Sequence, residues 1–185
     1  MQSFQVSEID RLLHNLFRVC TVVEQRTDGR VKVTDGELVS AWLDRGVLRA
    51  GGNVDWSPLD EGEQVLVACP SGDFAQGVVV CSLYQLSCRP SINDLNIECK
   101  RFLDGSVVSY DRQKHHFSLN LAAGATVAMV ASGGFSLVGD VDIAGSVRVG
   151  GKITSIGDQV AGSISQINHV HKGVQSGPSK TDKPE

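Results

Sequence analysis

The chain has 185 residues, 41% hydrophobic but only 5% aromatic, with 20 glycines and a formal net charge of -4. That apolar content is enough to bury a core in one domain or two small ones, so the chain is not disordered as a whole. The first 103 residues carry 10 Lys plus Arg against 14 Asp plus Glu, which argues against a nucleic-acid binder, and no stretch reaches the ~20 apolar residues of a membrane-spanning helix.

The opening "MQSFQVSEIDRLLHNLF" has no basic segment followed by an apolar run and a small-residue cleavage site, so synthesis without a secretory leader, in the cytoplasm, is the expectation. Phe4, Ile9, Leu12, Leu13 and Leu16 recur at helical spacing and predict an amphipathic helix within residues 1–17. Ser7 is the expected N-cap, with Glu8 and Asp10 at the positive end of the helix dipole. His14 reads as a solvated helix residue.

From 18 to 90 the pattern shifts to short strands. "RVCTVVEQ", "GRVKVTDG", "GEQVLVACP" and "FAQGVVVCSLY" are rich in β-branched residues and bounded by Asp-Gly, Glu-Gly and Ser-Gly pairs. Some five strands in this length predict a small closed sheet of the OB type. Trp42 and Trp56 are expected in the core or at an interface rather than as base-stacking platforms. The five cysteines, Cys20, Cys69, Cys81, Cys88 and Cys99, form no CxxC pair and are expected as reduced, buried thiols.

Residues 91–103 are expected as a linker. Asp104-Gly105 then opens a hairpin with "SVVSYD" and "HHFSLNL" as its strands. Adjacent His115 and His116 would face opposite sides of such a strand and could not chelate one ion together.

Beyond Asn120, Gly133, Gly139, Gly145, Gly151 and Gly157 fall at every sixth residue, with Val141, Ile143, Val147, Val149, Ile153, Ile156 and Val160 between them. Proline is absent from Ser91 to Gly177, and only Asp140, Asp142, Arg148, Lys152 and Asp158 are charged between Phe117 and Asn168. One copy of such strands buries too little area, at ~25 cal/mol per Å², to offset an ordering cost of ~1–2 kcal/mol per residue. Two architectures would supply the missing interior: a single-chain hexapeptide solenoid, as in acyltransferases, or a prism shared by three chains. A solenoid needs ~18 residues per coil and at least three stacked repeats, and five glycines spanning four six-residue intervals fall short, so an intertwined trimeric β-helical prism over 104–168 is expected.

The prism runs into "QINHVHKGVQSGPSKTDKPE". On a strand His169 and His171 share a face, and around a threefold axis three chains would converge six imidazoles. Two triangular layers of nitrogen form an octahedron, which suits Fe(II), Co(II) or Ni(II) better than tetrahedral zinc. Residues 169–185 are therefore expected as a metal-binding apex and tail, with the plain alternative that HVH is a polar strand end.

In this order the helix, the barrel, the "FLDGSVVSYD"/"HHFSLNL" hairpin, the Gly/Val/Ile/Ser prism and the terminal His-Val-His resemble the central spike, or baseplate assembly protein V, of contractile-tail phages and phage-tail-like bacteriocins. The resemblance covers nearly the whole chain. It implies a mainly β homotrimer at the tip of the tail, in the virion or bacteriocin baseplate, against the baseplate hub and tail tube. The rod would point at the bacterial outer membrane, with no nucleic acid bound and no catalytic turnover. It also implies one Fe ion per trimer, shared by three chains through His169 and His171. The enzyme alternative is the hexapeptide-repeat acyltransferase, motivated by the six-residue glycine period.

Overall fold

A computed structural model describes residues 2–90, 92–170, 173 and 177. The chain divides into two compact units, 1–126 and 127–185.

The first unit opens with α1 (Gln2–His14). The helix starts five residues before the expected cap, so Ser7 lies inside it and not at its end. Glu8 pairs with Arg11 one turn on at 2.7 Å, and the His14 ring Nδ1 lies 2.7 Å from the Asp10 carbonyl. Leu12 and Leu16 are half-buried, whereas Val6, Ile9 and Leu13 are exposed. The last turn of the helix rests on a 3-10 turn at Pro70–Gly72. There Gly72 has φ +71, and a Cβ on it would lie 3.3 Å from the Leu12 carbonyl oxygen. Glycine satisfies both the left-handed backbone and the close approach.

Five strands follow: β1 (Phe17–Gln25), β2 (Val31–Thr34), β3 (Asp44–Arg45), β4 (Gln64–Ala68) and β5 (Val78–Ser82), in the sheet order β2-β1-β4-β5-β3. The pairing is antiparallel except between β3 and β5, which run parallel. Val31 and Leu43 exchange both backbone hydrogen bonds, at 3.0 and 2.8 Å. Leu43 immediately precedes β3, so this bridge ties the two edges of the sheet together into a barrel with Greek-key order. The expected OB-like sheet is what forms.

Period-two alternation makes the core. Val31 and Val33 of β2, Val65 and Val67 of β4, and Cys20 and Val22 of β1 point inward, joined by Leu43, Cys69 and Val79. Each large apolar side chain so buried contributes about 1.5–3 kcal/mol. A bulge between Val22 and Glu24 shifts the register against β2, the local device by which a strand bends around a small barrel. Leu59 and Phe74 pack against this core from outside the strands.

The surface corrects the expectation that all five cysteines are buried. Cys20 and Cys69 are buried thiols, but Cys81, Cys88 and Cys99 are exposed. Trp42 is half-buried beneath the cations of Lys32, at 4.5 Å, and Arg26, at 5.2 Å, while exposed Trp56 lies under Arg45 at 5.5 Å. Neither indole joins the core.

The segment expected as a linker holds a strand. β6 (Ile97–Arg101) pairs with β7 (Val107–Asp111), which pairs with β8 (His116–Asn120), in an antiparallel meander. Every residue from Ile97 to Arg101 has a ladder partner on β7, so the stretch continues the Asp-Gly hairpin by one strand. In the β6–β7 turn the Asp104 carboxylate accepts the Ser106 backbone N–H at 2.9 Å and the Ser106 hydroxyl at 3.0 Å, and Gly105 supplies φ +88. His115 sits in the β7–β8 turn at φ 53, so only His116 belongs to the strand.

The second unit is different in kind. Among the described residues between Leu121 and Gln159 no strand pairing forms within the chain. Every Val, Ile, Leu, Met and Phe described from Val127 to Val170 is exposed, from 49% at Val149 to fully at Ile156. A short hairpin closes the described part: β9 (Val160–Ala161) and β10 (Ile164–Ser165), with Gly162 at φ +63 in its turn.

Candidate functional site

The C-terminal hairpin positions His169. Gln166 N donates to the Gln159 carbonyl at 3.0 Å and extends the β9–β10 ladder. At the mouth of the hairpin the Asp158 carboxylate accepts the Ile167 backbone N–H at 3.1 Å. Its carboxyl is held below the ordinary range, first by the Ser165 hydroxyl and then by the backbone N–H groups of Ile167, Gln159 and Gln166, against an opposing desolvation.

From Ser165 the chain turns tightly. Asn168 N donates to the Ser165 hydroxyl oxygen at 2.8 Å, and His169 N donates to the Ser165 carbonyl at 3.2 Å. The same carbonyl lies 2.9 Å from His169 Nδ1. A carbonyl only accepts, so the contact assigns the ring proton to Nδ1 and, in the neutral imidazole, the lone pair to Nε2. Donation from one ring nitrogen to a backbone carbonyl is a common way of orienting a metal-ligating histidine. The donor chemistry therefore fits a borderline divalent cation.

The described residues of one chain do not complete such a site. Among the described residues no group of three or more His, Cys, Asp or Glu comes together to hold a metal ion. His171, the expected second ligand, lies outside the described residues. His115 and His116 stand in and beside the β7–β8 turn, in the other unit. Asp158 and Ser165 were not expected as part of the site; the available signal was that Asp158 is the last of five charges in an otherwise neutral stretch.

The barrel carries its own groove of 660 Å³, lined in part by Asp60, Glu61, Glu63, Leu83, Tyr84 and Cys88. It is bridged by Gln85, whose side-chain amide donates to the Gly62 carbonyl at 2.9 Å. Its lining is acidic and apolar.

The closed barrel and the histidine-bearing C-terminus are separately recognisable. Residues 18–84 match the type VI secretion system/phage-baseplate injector OB domain, and residues 163–185 match the GpV Apex motif. The spike protein of Escherichia phage P2 is 30% identical over 132 residues, which make up 69% of this chain and 60% of that protein. The chain thus spans about 60% of the relative's length. It belongs to the phage baseplate spike family. These matches lend nothing to the acyltransferase alternative.

Proposed function

We propose that the chain is the cell-puncturing spike of a contractile tail, a homotrimer whose C-terminal stretch forms a thin three-chain prism and ends in a shared metal ion. The observation that carries the reading is that every Val, Ile, Leu, Met and Phe described from Val127 to Val170 is exposed. Side chains from Val127 to Val170 that a single chain leaves in water require an interior from elsewhere, and identical copies provide one without any further partner. Residues 139–153 favour a strand-like prism: Gly139, Val141, Ile143, Gly145, Val147, Val149, Gly151 and Ile153 occupy odd positions, while Asp140, Asp142, Arg148 and Lys152 occupy even ones.

In this reading the barrel and helix seat the spike on the baseplate hub and tail tube. The rod points at the bacterial outer membrane, and His169 and His171 from three chains hold one ion, Fe in the family's manner, at the tip. The cation supplies a cross-link among chains whose parallel ends would otherwise splay. The family is structural, and the work comes from sheath contraction, with no catalytic turnover. The GpV Apex match over 163–185 supports the metal-bearing tip.

The test is solution mass together with elemental analysis of the purified chain. A trimer with one transition-metal ion per three chains is expected; a monomer, or a metal-free trimer with both histidines intact, overturns the reading. His169→Ala combined with His171→Ala is expected to remove the metal and leave the trimer, because the area buried between chains lies along the prism. Gel filtration of the double variant checks this, and complete dissociation would show the ion to be more than a cap.

A further inference from the structure

We infer that the groove between the turn at 60–63 and the segment after β5 is a docking site for a basic peptide segment of a partner protein, one that carries Arg or Lys beside an apolar side chain. The groove lies within the first unit, so the inference goes beyond the spike reading and depends on neither the prism nor the metal.

Two segments supply its chemistry. Asp60, Glu61 and Glu63 stand in the turn that leads into β4, and Leu83 and Tyr84 follow β5 directly. Tyr84 is 71% exposed, an aromatic ring that the chain leaves uncovered. No Lys, Arg or His lines the groove, and none of its three carboxylates forms an ion pair among the described residues. Elsewhere on the barrel the chain supplies its own cations, Lys32 for Glu24 and Arg18 for Asp35. In the groove that charge has to come from another molecule.

The groove is built before anything enters it. Gly62 N donates to the Val22 carbonyl and Val22 N to the Glu63 carbonyl, each at 2.9 Å, which fixes the turn on β1. Leu83 N donates to the Gln64 carbonyl at 2.7 Å, and the Gln85 amide reaches the Gly62 carbonyl. A site held in this way costs little ordering when a partner binds. A guanidinium or ammonium group entering it meets carboxylates that accept charge-assisted hydrogen bonds and a tyrosine face that attracts cations. The apolar neighbour of that cation covers Leu83. The volume of 660 Å³ holds a few side chains of one segment, within the ~300–1,000 Å³ usual for preformed sites. The same charges repel acidic peptides and nucleic acid.

The test uses the full chain and a fluorescein-labelled Arg-Leu-Lys-Arg peptide, with binding read by anisotropy and the contact mapped by hydrogen exchange. The peptide is expected to bind and to slow exchange at 60–64 and 82–85, while a matched Glu-Leu-Glu-Glu peptide does not bind. Glu61→Lys is expected to weaken binding about 5–10-fold and Tyr84→Ala about 3–5-fold. Glu37→Lys makes the same change in net charge at an exposed carboxylate outside the groove and is expected to leave affinity unchanged. Urea midpoints at the wild-type value show that the variants fold. Absence of binding, wild-type affinity in either groove variant, or an equal loss in Glu37→Lys overturns the inference. So does displacement by spermine as readily as by unlabelled peptide, which would mean that charge alone is read. A solution mass altered by Glu61→Lys or Tyr84→Ala would make the occupant a second copy of this chain and overturn it as well. The mass and metal content of the unmutated chain test the spike reading separately.

Discussion

Asp35 shows how single carboxylates organise this chain. Its Oδ1 accepts the backbone N–H groups of Leu38 at 2.9 Å and Glu37 at 3.1 Å, and its Oδ2 pairs with the Arg18 guanidinium. The Leu38 N–H first, then the Glu37 N–H and Arg18, hold the carboxyl below its ordinary range against desolvation. A depressed folded pKa means that the stabilisation is present above the unfolded value of ~3.9 and is lost as pH falls through the folded one. Asp35→Asn is therefore expected to cost about 1 kcal/mol at neutral pH and progressively less below about pH 4. Urea denaturation of both proteins at pH 7 and pH 3 checks this, and a difference that stays constant across that range would sink it. Asp111 repeats the device at the β7–β8 turn, accepting from Gln113 and Lys114 N at 2.9 Å each. Cys20 runs the other way: burial, with smaller contributions from Asp35 and Cys69, pushes its thiol up to about 11. It is a neutral core group at physiological pH and not a nucleophile.

At the scale of elements, the barrel depends on a close approach at the start of β5. A Cβ on Gly77 would lie 2.8 Å from Val67 Cγ1, 3.1 Å from the Phe74 carbonyl oxygen and 3.2 Å from Leu43 Cδ1. Val67 lies on β4 and Leu43 in the bridge that closes the barrel, both in the core, so the methyl has nowhere to go. Gly77→Ala is expected to destabilise the first unit by about 1–3 kcal/mol through overpacking. The urea midpoint should fall with an unchanged slope; wild-type stability would show that the barrel yields there at no cost. The meander β6-β7-β8 is held differently, by a ladder and by Ser106, whose hydroxyl accepts Ala122 N at 3.0 Å as well as bonding Asp104. That explains why Ser106, a polar residue, is buried in a turn.

At the scale of the whole molecule, the two units solve the burial problem in opposite ways. The barrel closes on itself and its valines are buried within one chain. The second unit exposes its valines and isoleucines, and each would gain about 1.5–3 kcal/mol on full burial. In the proposed trimer Val147→Asp would place a carboxylate at one level in each chain, and it is expected to shift the solution mass from trimer to monomer. Arg148→Asp, on the opposite face by period two, is expected to leave the mass unchanged. Analytical ultracentrifugation of the pair decides the matter: equal behaviour of the two variants would mean that the odd positions are not the shared interior.

Much of this protein was legible in its residues, because the signals are local. Alternating β-branched residues placed the barrel strands, Asp-Gly marked the β6–β7 turn, and the six-residue glycine spacing marked the stretch whose apolar side chains the single chain leaves exposed. His169 stood out by its place before a polar tail. Other features depend on groups far apart in sequence. Leu43 as the residue that closes the barrel, Ile97–Arg101 as a third meander strand, the cations over Trp42 and Trp56, and the exposure of three cysteines follow from partners that no window of residues reveals. The same holds for Asp158 and Ile167, nine residues apart, which meet only because the Gly162 turn folds β9 onto β10. Local pattern determines which residues seek burial or a turn; only the folded chain decides which partner each one finds, because that choice is made by contacts across the loop.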